Sequence, residues 1–239
     1  GATGTDRSPI AERAAGTSAP LRARIAEFEE RLKQRRSSNA EPEAEPLDAG
    51  TLLRRRMLDL VERQLPAVFK TAKLSDLPSE GHPDAAAAQE ARAWADAPAG
   101  RSLVHIGGVG AGKTYAAAAQ MRRIAGRDGT HVRWLTAADL FDGLRPDGAL
   151  HRPSLVSAGV LVIDDIAAKQ LTSWEHDTLG SLVDARWSAG RPIVTTSNLS
   201  PEQLRSVLDE MIWSRLMLGR EGARTAVIEW VGPDRRRGA

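Results

Sequence analysis

The chain has 239 residues, 27% of them charged, with a formal net charge of only +2, so global charge by itself does not argue for nucleic-acid binding and local arginine clusters carry that question. Cysteine is absent, which excludes disulfides and thiolate zinc sites and suits a reducing, cytoplasmic setting. No apolar run approaches the ~18 residues of a membrane span, no secretory leader core is visible at the start, and aromatic residues make up 4% of the chain, too few for extensive base stacking.

Residues 1–20 are small and polar and are expected to form a disordered tail. Over residues 21–36, Leu21, Ile25, Phe28 and Leu32 recur at helical spacing on an otherwise charged segment, which predicts a helix with one narrow apolar stripe. Such a stripe suits packing against the chain's own domain or docking on a partner. Glu41-Pro42-Glu43-Ala44-Glu45-Pro46 marks an acidic, proline-punctuated linker within 37–50. A second helix is predicted over 51–65, with Leu53, Met57, Leu60, Val61 and Leu65 on one face. Arg54, Arg55 and Arg56 fall on the other side and read as a solvated face. Residues 21–65 are thus expected to be a helical, partner-binding extension, and 66–239 the main domain, beginning at the helix-ending Pro66.

Within that domain an alanine-rich helix is predicted over 85–97, ending at Pro98-Ala99-Gly100. Ser102-Leu103-Val104-His105-Ile106 reads as a short buried strand, and 115–124 as a helix. His131-Val132-Arg133-Trp134-Leu135 is the next strand, and Thr136 can cap a helix over 137–144. Residues 145–157 are broken by Pro146, Gly148 and Pro153 and read as a loop or short helical insertion. Val160-Leu161-Val162-Ile163 is a continuous apolar run, as expected of a strand buried on both faces. An amphipathic helix over 171–188, a strand at Pro192-Ile193-Val194-Thr195-Thr196, and a helix opened by Ser200-Pro201 follow. A helical piece over 211–217 and an alternating strand over 225–231 complete the series. Strands alternating with helices predict an α/β fold with a mostly parallel central sheet flanked by helices.

Gly107-Gly108-Val109-Gly110-Ala111-Gly112-Lys113-Thr114 fits G-x-x-x-x-G-K-[ST], and it lies between a strand and a helix, as a phosphate-binding loop must. Glycines let successive N–H groups turn inward toward phosphate oxygens, and the helix that follows offers its positive end. The expected ATP-binding set is therefore Gly107, Gly108, Val109, Gly110, Ala111, Gly112, Lys113, Thr114 and Tyr115. Lys113 is expected on the β- and γ-phosphates and Thr114 on Mg²⁺. Asp164 and Asp165 stand at the tip of the Val160–Ile163 run, where ligands bind in open α/β sheets. Asp164 is placed to hold the Mg²⁺ shell through water, and Asp165 to orient and polarise an attacking water. Asn198, at the next strand tip, can contact the γ-phosphate or that water, although an Asn in a turn is an ordinary occurrence.

This ordered set, with Thr196-Ser197-Asn198-Leu199, Trp213-Ser214-Arg215-Leu216 and Gly232-Pro233-Asp234-Arg235, resembles the AAA+ ATPases of the bacterial helicase-loader type (DnaC/DnaI), relatives of the IstB transposition helper. The lead-in from Phe69 to Leu74-Ser75-Asp76-Leu77 is similar to that family too, and the likeness spans about residues 66–236. The resemblance implies an AAA+ domain that binds and hydrolyses ATP with Mg²⁺, self-associates through its ATP sites, binds single-stranded DNA, and meets a replicative helicase through its N-terminal helices. It makes Arg215 the expected arginine finger, acting on ATP held by a neighbouring subunit. Arg235 or Arg236 reads either as a nucleotide or DNA contact or as a basic tail. Arg145, His151 and Arg152 are the DNA-contact candidates, against the alternative that they are simply solvated. Many ATPases of the wider superfamily carry Glu where this chain has Asp165, although Asp-Asp is common in the loader branch, and no helical lid domain is expected after the last strand. Three rival readings share the phosphate loop: a transposition helper that binds duplex DNA and a transposase, an ATP-regulated binding module with little hydrolysis, and a small-molecule kinase.

Overall fold

The computed structural model describes residues 47–235, together with residues 23, 26–31 and 33, which are helical. The chain divides into two units, Gly1–Leu47 and Asp48–Ala239. Of the apolar stripe expected in the first unit, Leu21, Ile25 and Leu32 lie outside the described residues, as do the tail over 1–20 and the Pro/Glu motif at 41–46.

The second unit begins with α1 (Ala49–Gln64), whose N-cap Asp48 accepts a hydrogen bond from the Thr51 N–H. Two short 3₁₀ turns, Ala67–Phe69 and Leu74–Asp76, form a strap that leads to α2 (Ala85–Asp96). Then come β1 (Leu103–Gly107), α3 (Lys113–Asp128), β2 (Val132–Thr136), α4 (Ala137–Leu144), α5 (Arg152–Ser157) and β3 (Val160–Asp164). The chain continues through α6 (Ser173–Ser188), β4 (Ile193–Ser197), α7 (Pro201–Val207), α8 (Glu210–Trp213), a π-turn at Ser214–Leu218, and β5 (Ala226–Trp230).

The five strands form one sheet in the order β2-β3-β4-β1-β5, and every pairing is parallel. Each parallel link needs a crossover, and the intervening helices supply it, which is why the sheet is covered on both faces. Alternation along the strands divides the core in two. Leu103, Val132, Trp134, Val162, Val194 and Ile228 face α1, α2 and α3, while Val104, Ile106, Leu161, Ile163 and Ile193 face α4 to α8. In α3 the run Ala116 to Ala119 is buried, and its small side chains let α1 and α2 approach closely.

That approach moves one expected boundary. Helix α1 belongs to the nucleotide domain, so the domain starts at residue 48 and not at 66. Val61 is 0% and Leu65 3% exposed in the core that α3 also lines. Gln64 goes further: its amide donates to Val132 O at 3.2 Å and accepts from the Trp134 N–H at 3.0 Å. It thereby satisfies backbone groups of β2, the outermost strand on that side of the sheet. The apolar face of the second predicted helix thus meets its own domain, leaving Leu53 as its exposed member. The insertion over 145–157 resolves into α5, tied down by the fully buried Arg186, whose guanidinium donates to the carbonyls of Leu155, Val156, Ala158 and Pro192.

Candidate functional site

The strand order brings three tips together. β1 and β3 both flank β4, so the loop after β1, the carboxylates after β3 and the asparagine after β4 converge at the C-terminal edge of a parallel sheet, the place where open α/β sheets bind ligands.

The loop itself needs its glycines. Gly110 has φ +76° and Gly112 φ +104°. At Gly110 a β-carbon would collide with the Asp234 side chain, and Gly112 is the left-handed residue from which α3 starts at Lys113. Lys113 is 6% exposed. Its ammonium donates to Gly107 O at 2.9 Å, Gly108 O at 2.7 Å and Asn198 Oδ1 at 2.8 Å. Thr114 Oγ1 donates to Asp164 Oδ1 at 3.0 Å, and Thr196 Oγ1 donates to the same oxygen at 2.6 Å. Burial pushes the Asp164 carboxyl up, opposed by those two hydroxyls, and the adjoining Asp165 adds to the rise. A cation at this point would oppose the shift by stabilising the carboxylate.

Asp165 sits in a left-handed conformation, φ +57°, and its N–H is held by Thr196 Oγ1 at 2.8 Å. Asn198 Nδ2 donates to Asp165 Oδ1 at 3.0 Å. Asn198 therefore links the lysine to the carboxylate. All of these groups line one cavity of about 600 Å³ with Phe69, Asp76, Val109, Tyr115 and Arg235, a size that suits a nucleotide. Among the described residues no group of three or more His, Cys, Asp or Glu could hold a metal. The adjoining Thr114 and Asp164 are the groups that would hold Mg²⁺, with water and the phosphates completing its shell, as is usual for this ion.

The strap closes one side of the cavity. Tyr115 OH donates to Asp76 Oδ2 at 2.9 Å and accepts from the Lys73 N–H at 3.3 Å. Phe69 meets the Tyr115 ring edge-on, with centroids 6.3 Å apart. The segment after β5 closes the other side. Arg235 N donates to Gly110 O at 3.1 Å, and its guanidinium lies against Gly112. Asp84, 1% exposed, organises this segment by accepting from the N–H groups of Val231 at 2.7 Å and Gly232 at 2.9 Å and from Arg235 at 2.6 Å. Against the desolvation that burial imposes, the Gly232 N–H, the Arg235 guanidinium and the Val231 N–H hold the Asp84 carboxyl below the usual carboxylate range.

The structure thus gathers Gly107 to Tyr115, Asp164, Asp165 and Asn198 into one site, and it chooses the pocket side of the Arg235 alternative. It adds Phe69 and Asp76, which sequence marked only as a family-like lead-in, and Asp84, for which sequence carried no signal. Arg215 lies elsewhere: its Nη1 pairs with Asp184 at 2.6 Å, and its guanidinium stacks 5.2 Å from the Trp187 ring centre. Arg145 pairs with Asp142 at 3.5 Å and stacks on Trp174, while Arg152 donates to Ser181 O at 2.7 Å.

Fold and site together define a P-loop nucleotide-binding protein of the AAA+ arrangement. The IstB-like ATP binding protein family matches residues 54–237, and the chain belongs to that family. Two curated relatives are an ATP-binding protein in an insertion sequence of Mycobacterium tuberculosis, 30% identical over 133 residues, and the replicative helicase loader DnaI of Bacillus subtilis, 29% identical over 111 residues. These matches take in 53% and 44% of this chain and 51% and 36% of the relatives, so the chain spans about half or less of their length. Among solved structures, a DnaI crystal structure superposes with TM-score 0.60 at 24% identity, over 74% of this chain and 99% of that one. The DnaC helicase loader gives 0.57 at 21% identity, over 68% and 99%. At those identities the likeness establishes the fold. Among the described residues no helix is long and apolar enough to cross a membrane.

Proposed function

We propose that the chain is a Mg²⁺-dependent ATPase that helps place a replicative helicase on DNA. The observation that carries the ATPase reading is the linkage of Lys113 through Asn198 to Asp165, beside the Thr114–Asp164 pair. A γ-phosphate inserted between Lys113 and Asn198 would be felt directly at Asp165, the group proposed to polarise the attacking water. Lys113 and the loop N–H groups would bind the phosphates, Thr114 and Asp164 would hold the ion, and Asn198 would report the γ-phosphate. Arg215, remote from its own subunit's pocket, would act on the ATP of a neighbour. Residues 1–47 would carry the helicase contact, and Arg145 and Arg152 would approach single-stranded DNA.

A second reading, a transposition helper that binds duplex DNA and a transposase, draws support from the insertion-sequence relative. Steady-state ATP hydrolysis measured with single-stranded DNA plus a replicative helicase, and separately with duplex DNA plus a transposase, separates the two. Stimulation only by the first pair supports the loader, and stimulation only by the second supports the helper. No Mg²⁺-dependent hydrolysis in either case overturns the ATPase assignment.

A further inference from the structure

Arg215 stands in the π-turn Ser214–Leu218, a helical irregularity that recurs at functional positions. Its backbone is anchored by Ile212, Leu216 and Met217, which are 0%, 3% and 9% exposed. Its side chain is not left to wander. Asp184 and Trp187, one turn apart on α6, form a two-sided holder. The Asp184 carboxylate takes Arg215 Nη1 at 2.6 Å, and the indole covers one face of the guanidinium. The indole is itself fixed, because Trp187 Nε1 donates to Gly219 O at 3.0 Å, at the end of the π-turn. Among the described residues Asp184 is the one ion-pair partner of Arg215. A guanidinium carries five N–H donors, so donors remain for an incoming anion. The holder opens outward: the Arg215 side chain keeps 26% of its surface exposed, and Trp187 and Leu218 beside it are 36% and 61% exposed.

We propose that Asp184 and Trp187 are positioning residues that hold the Arg215 guanidinium ready for the phosphates of ATP bound by a second copy of this chain. The proposal rests on the reading of Arg215 as an in-trans finger. Its physical content is preorganisation. A long arginine side chain loses rotamer freedom when it docks, and a carboxylate and an indole that already order it remove that cost from the transition state. Neither residue touches ATP, so their loss acts on turnover and not on nucleotide affinity.

The test uses mixed assemblies of the full chain. Arg215→Ala supplies a working ATP site without a finger, and Lys113→Ala supplies a finger without a working site, so their mixture reports interfaces that combine the intact halves. Asp184→Ala is then added to one chain or the other. On the Lys113→Ala chain it should lower kcat of the mixture about tenfold, with KM for ATP unchanged. On the Arg215→Ala chain it should not lower it. Trp187→Phe, which keeps an aromatic face, should retain more activity than Trp187→Ala in the finger-supplying chain, and Asp184→Glu more than Asp184→Ala. If the unmodified mixture fails to recover activity, the finger reading itself falls. If the mixture recovers but Asp184→Ala has the same effect on either chain, or none on both, Arg215 remains the finger and the positioning role is overturned.

Discussion

Asp84→Ala should loosen the segment that closes the loop and weaken nucleotide binding together. The Asp84 side chain is 0% exposed and paired with Arg235 at 2.6 Å, and it also accepts two backbone N–H groups. Breaking a fully buried ion pair by removing one partner costs about 3–5 kcal/mol. The Arg235 side chain retains 30% exposure, so water compensates part of its loss, and the lower end, about 3 kcal/mol, is the expected figure. For a domain of this size that lowers Tm by about 6–12 °C. Arg235 would leave Gly112, and affinity for a fluorescent ATP analogue should fall about tenfold, the equivalent of one charged hydrogen bond. Arg235→Ala is the companion, since it keeps the Asp84 bonds to Val231 and Gly232. It should lose as much affinity but less stability. Because the folded Asp84 pKa is depressed, its contribution is present above the ordinary carboxylate pKa and is lost as pH falls through the folded value. Thermal melts at pH 7 and pH 3.5 with titrations of the analogue measure all three. An Asp84→Ala protein that melts with the wild type, or that loses stability with no change in affinity, would refute the argument.

Lys113→Ala should abolish binding of the ATP analogue while leaving the far-UV circular dichroism and melt near wild type, and near-normal binding would mean the loop is misassigned. Asp165→Asn should keep Mg²⁺-dependent ATP binding and lose turnover by about 10²-fold or more, whereas Asp164→Asn should weaken the Mg²⁺ dependence itself; small, equal effects would erase the division of roles. His105 is buried between Trp230 Nε1–H at 3.0 Å and the Gln120 amide at 2.8 Å, and burial pushes its pKa down to about 4. The folded chain keeps it neutral while the unfolded chain protonates below about 6.5, so stability should be lost as pH falls from 6.5 toward 4, by about 3 kcal/mol in all. His105→Gln should flatten the slope of Tm against pH in that window, and an unchanged slope would show that another group governs it.

The local motifs were legible because each is a statement about a few consecutive residues. Gly107 to Thr114 encodes its own turn, and the Val160–Ile163 run followed by two aspartates encodes a buried strand with an ionic tip. The parallel sheet followed from the alternation of apolar runs and helices, and Ser200-Pro201 marked the start of α7 where it is found. Sequence could also offer Asn198 beside its alternative as a turn residue, but not choose between them. Only the order β3-β4-β1 places it between Lys113 and Asp165.

What the chain's order of residues could not show is which distant segments close on the loop. The helix over 51–65 displayed an apolar face, and periodicity is the same whether that face meets a partner or its own domain; the alanine surface of α3 and the edge of β2 settled it through Val61, Leu65 and Gln64. Asp84 lies 151 residues before Arg235, and nothing in its neighbourhood announces a buried carboxylate. Asp184 likewise reads as one more charge on a helix until the π-turn brings Arg215 to it. Backbone turns and strand tips are short-range consequences of residue type. The pairing of buried charges is a long-range one, decided by which surfaces the packed core brings within hydrogen-bonding distance.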